Sequence, residues 1–263
     1  NVLPTLVSSS PADNATGVAA GANIVLTFNE NVVAGSGNIT LKKSSDNSTV
    51  QAMPVGGGNV SISGNTVTIN PSADLQSSEG YYLDIAASAL DDASGNSYGG
   101  INNGTTLNFT AADVAGPTLS SSSPADNATG VAADANIVLT FNENVVAGSG
   151  NITLKKSSDN STVEAMAVGG ANVSISGAAV TVNPTANLDS SQGYYLQIAV
   201  TAFDDVSGNS YAGINDTTSL SFTAADTVGP TMVITSTTSG VSSGVATNDS
   251  TINLTFTANE AAT

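Results

Sequence analysis

Residues 4–113 are repeated at 117–226 in step and without a gap, and 88 of the 110 paired positions are identical. Pro4-Thr5-Leu6 returns as Pro117-Thr118-Leu119, and Phe28-Asn29-Glu30-Asn31 as Phe141-Asn142-Glu143-Asn144. A period of this length is a whole domain, not one turn of a solenoid. Each unit is long enough to bury its own core without disulfides, and the chain has no cysteine. The expected division is 1–113, 114–226 and a remainder, 227–263. So short a remainder rarely folds alone and reads as the first strands of an incomplete third domain.

Apolar residues alternate at period two. Ile24, Leu26 and Phe28 share one face; Ile39 and Leu41, Val60 and Ile62, Val67 and Ile69, and Tyr81, Leu83 and Ile85 follow the same rule, and Leu107 and Phe109 close the unit. Each run predicts a half-buried strand. Ser63-Gly64-Asn65-Thr66 predicts a tight hairpin. Its copy Ser176-Gly177-Ala178-Ala179 keeps only the first glycine, which favours a type II′ turn over I′. Pro71 and Pro184 stop strands, because proline cannot continue a ladder. Helix signals are nearly missing. The prediction is all-β: tandem immunoglobulin-like Greek-key sandwiches of about seven strands each.

The chain carries 21 acidic residues against four basic ones, a net charge of −17. The acids are spread over both copies, so acidity belongs to the repeat. It excludes nucleic acid and anionic lipid as electrostatic partners, and it fits either simple solubility or binding of a divalent cation. No apolar stretch is long enough to span a membrane. Asn1 does not open a signal peptide. The chain reads as an internal piece whose targeting signals lie outside it.

Catalysis has little to stand on. Histidine and cysteine are absent, so there is no imidazole base and no thiolate. Lys42-Lys43-Ser44-Ser45 reads as a solvated strand end. A carboxylate-pair glycosidase would need stacking aromatics, and there is no tryptophan. Gly56-Gly57-Gly58 leads into a strand, not into a phosphate-binding helix. No enzyme is expected.

The run Pro-Thr-Leu-x-Ser-Ser-Ser-Pro-Ala-Asp-Asn-Ala-Thr-Gly-Val, followed by Ile-Val-Leu-Thr-Phe-Asn-Glu-Asn-Val, resembles bacterial immunoglobulin-like repeats. So do the later Tyr-Tyr-Leu-x-Ile and Asp-Asp-x-Ser-Gly-Asn segments. The resemblance covers both units, and Gly229–Thr257 resembles a divergent relative. It implies very long bacterial cell-surface adhesins and biofilm-associated proteins, with an extracellular location and neighbouring repeats as partners.

Three acidic spots recur: Glu30 with Glu143, echoed by Glu260; Asp91-Asp92 with Asp204-Asp205; and Asp113 with Asp226. In an immunoglobulin-like topology the ends of strands B and F and the start of strand A share one pole. With Ile24–Phe28 as strand B and Tyr81–Ala87 as strand F, Asp113 should meet Glu143 and Asp204/Asp205 at the seam between copies. Converging carboxylates repel, and Ca2+, which takes six to eight oxygens, would resolve the conflict and stiffen the linker. The resemblance implies the same use of calcium. Asp-Asp-x-Ser-Gly-Asn is equally a good turn in its own right. The first copy's site, Glu30 with Asp91 and Asp92, has no preceding Asp in this chain and should be weaker or empty. The third, Asp226 with Glu260, lacks its second loop.

Three functions remain open: spacer modules of a surface adhesin with Ca2+ at the junctions; a filament or surface-layer subunit whose partial third domain is completed by a neighbouring chain; and a glycan- or protein-binding module, for which Tyr98 and Tyr211 are the nearest candidates. The tail also fits simple truncation.

Overall fold

Ile24, Leu26 and Phe28 are at most 1% exposed, and Val25 and Thr27 between them are half-buried. The period-two pattern therefore does set one face of this strand against the core. The computed structural model describes residues 2–236 and 254–258. The chain divides into two compact units, 1–116 with 206–209, and 117–205 with 210–263.

In the first unit the strands are β1 (Leu6–Ser10), β2 (Ala15–Val18), β3 (Ile24–Phe28), β4 (Val33–Ala34), β5 (Asn38–Lys43), β6 (Thr49–Pro54), β7 (Val60–Ser63), β8 (Thr66–Ile69), β9 (Gly80–Ile85), β10 (Leu90–Asp91) and β11 (Asn108–Ala111). One sheet runs β1-β3-β8-β7 and the other β2-β11-β9-β5-β6, with β10 and β4 forming a separate short pair. All pairings are antiparallel except β2 with β11. The chain changes sheet between β1 and β2, at the cis Ser10–Pro11 bond. Proline has no N–H to offer a ladder, which suits a point where one pairing ends and another begins.

This is the expected immunoglobulin-like sandwich, with β3 as strand B and β9 as strand F. Nine strands lie in the two main sheets, against an expectation of about seven. The first strand is split in two at Pro11. The β6 edge strand buries only Met53, so its alternation is weak in the sequence.

The core lies between the sheets. Leu26, Ile39, Leu41, Met53, Val67, Ile69 and Leu83 are fully buried. Tyr81, 1% exposed, stacks on Phe109 with centroids 5.9 Å apart, and its hydroxyl oxygen accepts the Gln76 N–H at 2.8 Å. That bond ties the approach to β9 into the core, in the manner of a tyrosine corner. Gly64 has φ +62°, with no positive φ at Asn65, and Gly177 repeats this at +60°. A positive φ at the first central residue alone is what a type II′ turn requires.

The second unit repeats the plan in a four-stranded and a five-stranded sheet and a short pair. One core exchange is conspicuous. Leu90 is replaced by Phe203, whose ring meets Phe141 at 5.3 Å. Tyr211 also sits edge-on to Phe141, at 5.1 Å, as Tyr98 does to Phe28 at 5.2 Å. The two tyrosines are thus core packing, and burial pushes both phenols up.

Lys42 and Lys43 end β5 half-buried, not as a solvated tip. Lys42 pairs with Asp84 at 3.3 Å above the Tyr82 ring, and Lys43 with Glu79 at 3.6 Å. In the tail, Met232–Ser236 pairs antiparallel with Leu254–Ala258.

Candidate functional site

The Asn-Glu-Asn triplet follows strand B in each unit, and its two asparagines have structural tasks. Asn142 Oδ1 accepts the Thr118 N–H at 2.6 Å, and the Asn142 N–H donates to the Thr118 carbonyl at 3.0 Å. Asn29 does the same with Thr5, at 2.7 and 3.1 Å. This pair of bonds fastens the incoming segment to the end of strand B, just after a buried proline, Pro4 or Pro117. Asn144 packs on the hairpin: a Cβ on Gly177 would stand 3.2 Å from Asn144 Oδ1. Glu143, between them, is half-buried.

The Asp-Asp pair is part strand. Phe203–Asp205 pairs with Val145–Ala147, placing Asp205 opposite Val145. Side chains alternate along a strand, so the two aspartates face opposite ways. Asp204 accepts the Ser210 hydroxyl at 2.5 Å on the outer side, and Asp205 is 2% exposed. Within the second unit, Asp205 and Glu143 each bring a carboxylate oxygen within 4.8 Å of the other. The structure therefore brings together Glu143 and Asp205 and turns Asp204 to a different partner.

The first unit has the same frame. Asp91 accepts the Ser97 hydroxyl at 2.5 Å. Asp92, 6% exposed, accepts the backbone N–H groups of Ser94 and Asn96, both at 2.8 Å, and the Asn96 amide at 2.6 Å. The Asn96 amide, then these backbone donors, hold the Asp92 carboxyl below the ordinary carboxylate range. Asp92 is thus the organiser of its own turn. Glu30 Oε1 is buried and has no hydrogen-bond partner among the described residues.

The third acidic spot caps the end of each unit. Asp113 Oδ1 accepts the Ser77 hydroxyl at 2.8 Å and the Ala115 N–H at 3.2 Å, and Ser77 Oγ in turn accepts the Val114 N–H at 2.9 Å. Asp113 Oδ2 accepts no hydrogen bond among the described residues. The second copy matches it: Asp226 Oδ1 accepts Ser190 Oγ at 2.9 Å and the Val228 N–H at 3.0 Å, while the Thr227 N–H reaches Ser190 at 2.8 Å. No local sequence pattern marks Ser77 and Ser190. Their only signal is a constant spacing of 36 residues before the aspartate, in a chain where serine is everywhere. Glu260 lies outside the described residues.

Chemically the arrangement offers hard oxygen donors. Two carboxylates within 4.8 Å repel one another, and hydrogen-bond donors, protonation of one of them or a cation between them can each offset that repulsion. Hard divalent ions take such oxygens and complete their shells with carbonyls and water.

The family comparison agrees with the fold. The family described as bacterial Ig-like domain matches residues 1–111 and again 113–224. No curated protein matches the chain. Among solved structures, the N-terminal part of the bacterial S-layer protein SbsC is similar at 13% identity and a TM-score of 0.30, over 82% of this chain and 45% of that one. Domains 1–6 of surface layer protein SbsC give 13% and 0.30, over 98% and 45%. Extracellular domains 3–5 of Drosophila OTK give 12% and 0.28, over 89% and 68%. The chain spans less than half the length of the SbsC structures it resembles.

Proposed function

The chain belongs to the bacterial Ig-like domain family, and from that premise we propose that its repeats are spacer modules of a bacterial surface adhesin, joined by calcium-stiffened seams. Such modules are non-enzymatic, and their work is to hold a distance.

One observation carries the proposal: the chain is fastened on both sides of the connection between copies. On the outgoing side, Asp113 and Ser77 hold Val114 and Ala115 to the first unit. On the incoming side, Asn142 holds Thr118 to the second, next to buried Pro117. Little free chain is left between the two fastenings, so the linker has few soft dihedrals. Calcium would add to this by binding at the acidic pair Glu143 and Asp205 of the second unit. The two clustered carboxylates of the second unit support that role, since a cation offsets their repulsion.

The test is thermal and hydrodynamic. With Ca2+ the chain should melt higher and scatter as a stiffer particle than with EDTA. A chain whose melting and scattering are the same in both conditions has no calcium seam.

A further inference from the structure

In the first unit the connection from β10 to β11 runs through Asn102-Asn103-Gly104-Thr105-Thr106, and its copy reads Asn215-Asp216-Thr217-Thr218-Ser219. Both loops are built around one side-chain oxygen. Asn103 Oδ1 accepts the N–H groups of Thr105 and Thr106 at 3.0 and 2.9 Å, and both threonine hydroxyls at 2.9 Å. Asp216 Oδ1 accepts the N–H groups of Thr218 and Ser219, each at 2.7 Å, and the Thr218 hydroxyl at 3.1 Å. Its Oδ2 takes the Ser219 hydroxyl at 2.6 Å. An aspartate does the work of the asparagine in the same frame.

The glycine after Asn103 has no structural reason to be there. Its φ is not in the left-handed region, and the atoms nearest to an added Cβ would be those of the Tyr82 ring, at an ordinary 3.5 Å. The copy has Thr217 in its place. What glycine does provide is an unhindered main-chain nitrogen beside an asparagine amide. Asn103 and Gly104 are both exposed, and the Gly104 N–H makes no hydrogen bond among the described residues.

We propose that Asn103-Gly104 is a site of spontaneous deamidation, which converts the loop of the first unit into the aspartate loop that the second unit already carries. Hydroxide removes the Gly104 N–H proton, and the nitrogen attacks Asn103 Cγ. The negative charge that builds on Oδ1 meets the four donors already aimed at that oxygen. Water protonates the amide nitrogen and so returns the hydroxide, the Cγ–Nδ2 bond breaks and ammonia leaves, giving a cyclic imide. Water then opens the imide, so asparagine plus water becomes aspartate plus ammonia. Opening at the main-chain carbonyl would give isoaspartate, which routes the backbone through an extra methylene and cannot rebuild this loop. Opening at the side-chain carbonyl gives an aspartate with charge-assisted bonds in place of neutral ones.

The experiment incubates the whole chain at mildly alkaline pH and follows net charge by ion exchange, with peptide mass mapping to locate the change. Wild type should gain one negative charge at position 103. Gly104→Thr, which borrows the copy's residue, should slow that gain at least about tenfold, a barrier rise of about 1.4 kcal/mol. Asn103→Asp should melt at or above wild type. Two results would overturn the proposal. One is a folded chain that gains no charge at position 103 while a free peptide spanning the loop does; the other is equal rates in wild type and Gly104→Thr.

Discussion

Replacing Ser77 with alanine tests the outgoing clamp directly. Ser77 Oγ donates to Asp113 Oδ1 at 2.8 Å and accepts the Val114 N–H at 2.9 Å, so one deletion removes both bonds. A hydrogen bond to a charged group contributes about 1.5–3 kcal/mol and a neutral one about 0.5–1.5. Both groups here are only half-buried or exposed, so water replaces much of what is lost, and about 1–2 kcal/mol is the expected net cost. In a unit of this size that lowers Tm by about 4–8 °C. Calorimetry of Ser77→Ala should show one of two transitions shifted. Ser190→Ala should shift the other by a similar amount, because Asp226 and Thr227 repeat the geometry. Backbone relaxation by NMR should find Val114 and Ala115 more mobile in Ser77→Ala. If both the transition and those two amides stay as in wild type, the clamp contributes nothing and the fastened-seam argument fails with it.

Other consequences are simpler to check. Tyr81→Phe leaves the Gln76 N–H without its acceptor and should cost about 1 kcal/mol, read from the urea midpoint, whereas Tyr81→Ala should cost about 3–5. The Ser219 hydroxyl, then the N–H groups of Thr218 and Ser219, hold the Asp216 carboxyl far below its ordinary range. A depressed carboxylate stabilises the fold above its unfolded pKa, and that contribution drains away as the pH falls below about 4. Acid melting of the second unit should therefore lose part of its pH dependence in Asp216→Asn; an unchanged acid profile would contradict the assignment.

Much of the fold is legible because its signals are local. Ile24-Leu26-Phe28 alternates cleanly, and Gly64 and Gly177 name their own turn type. β6 is not legible, since only Met53 of its residues is buried and the edge position asks little of the rest. The acidic residues are visible in the sequence, but their tasks are not. Whether Asp204 and Asp205 act together depends on the short strand Phe203–Asp205, which separates them to opposite sides. Asp92 reads equally as ligand or turn, and the structure gives it three turn donors. Ser77 and Asn29 act over 36 and 24 residues of chain, so no local pattern announces them.

Direct calorimetric titration of the whole chain with Ca2+, beside Glu143→Gln, goes to the centre of the account. A calcium seam predicts that wild type binds Ca2+ saturably and that Glu143→Gln loses most of that affinity while keeping its Tm in EDTA. Wild type and Glu143→Gln binding Ca2+ equally, or neither binding it, would contradict the account.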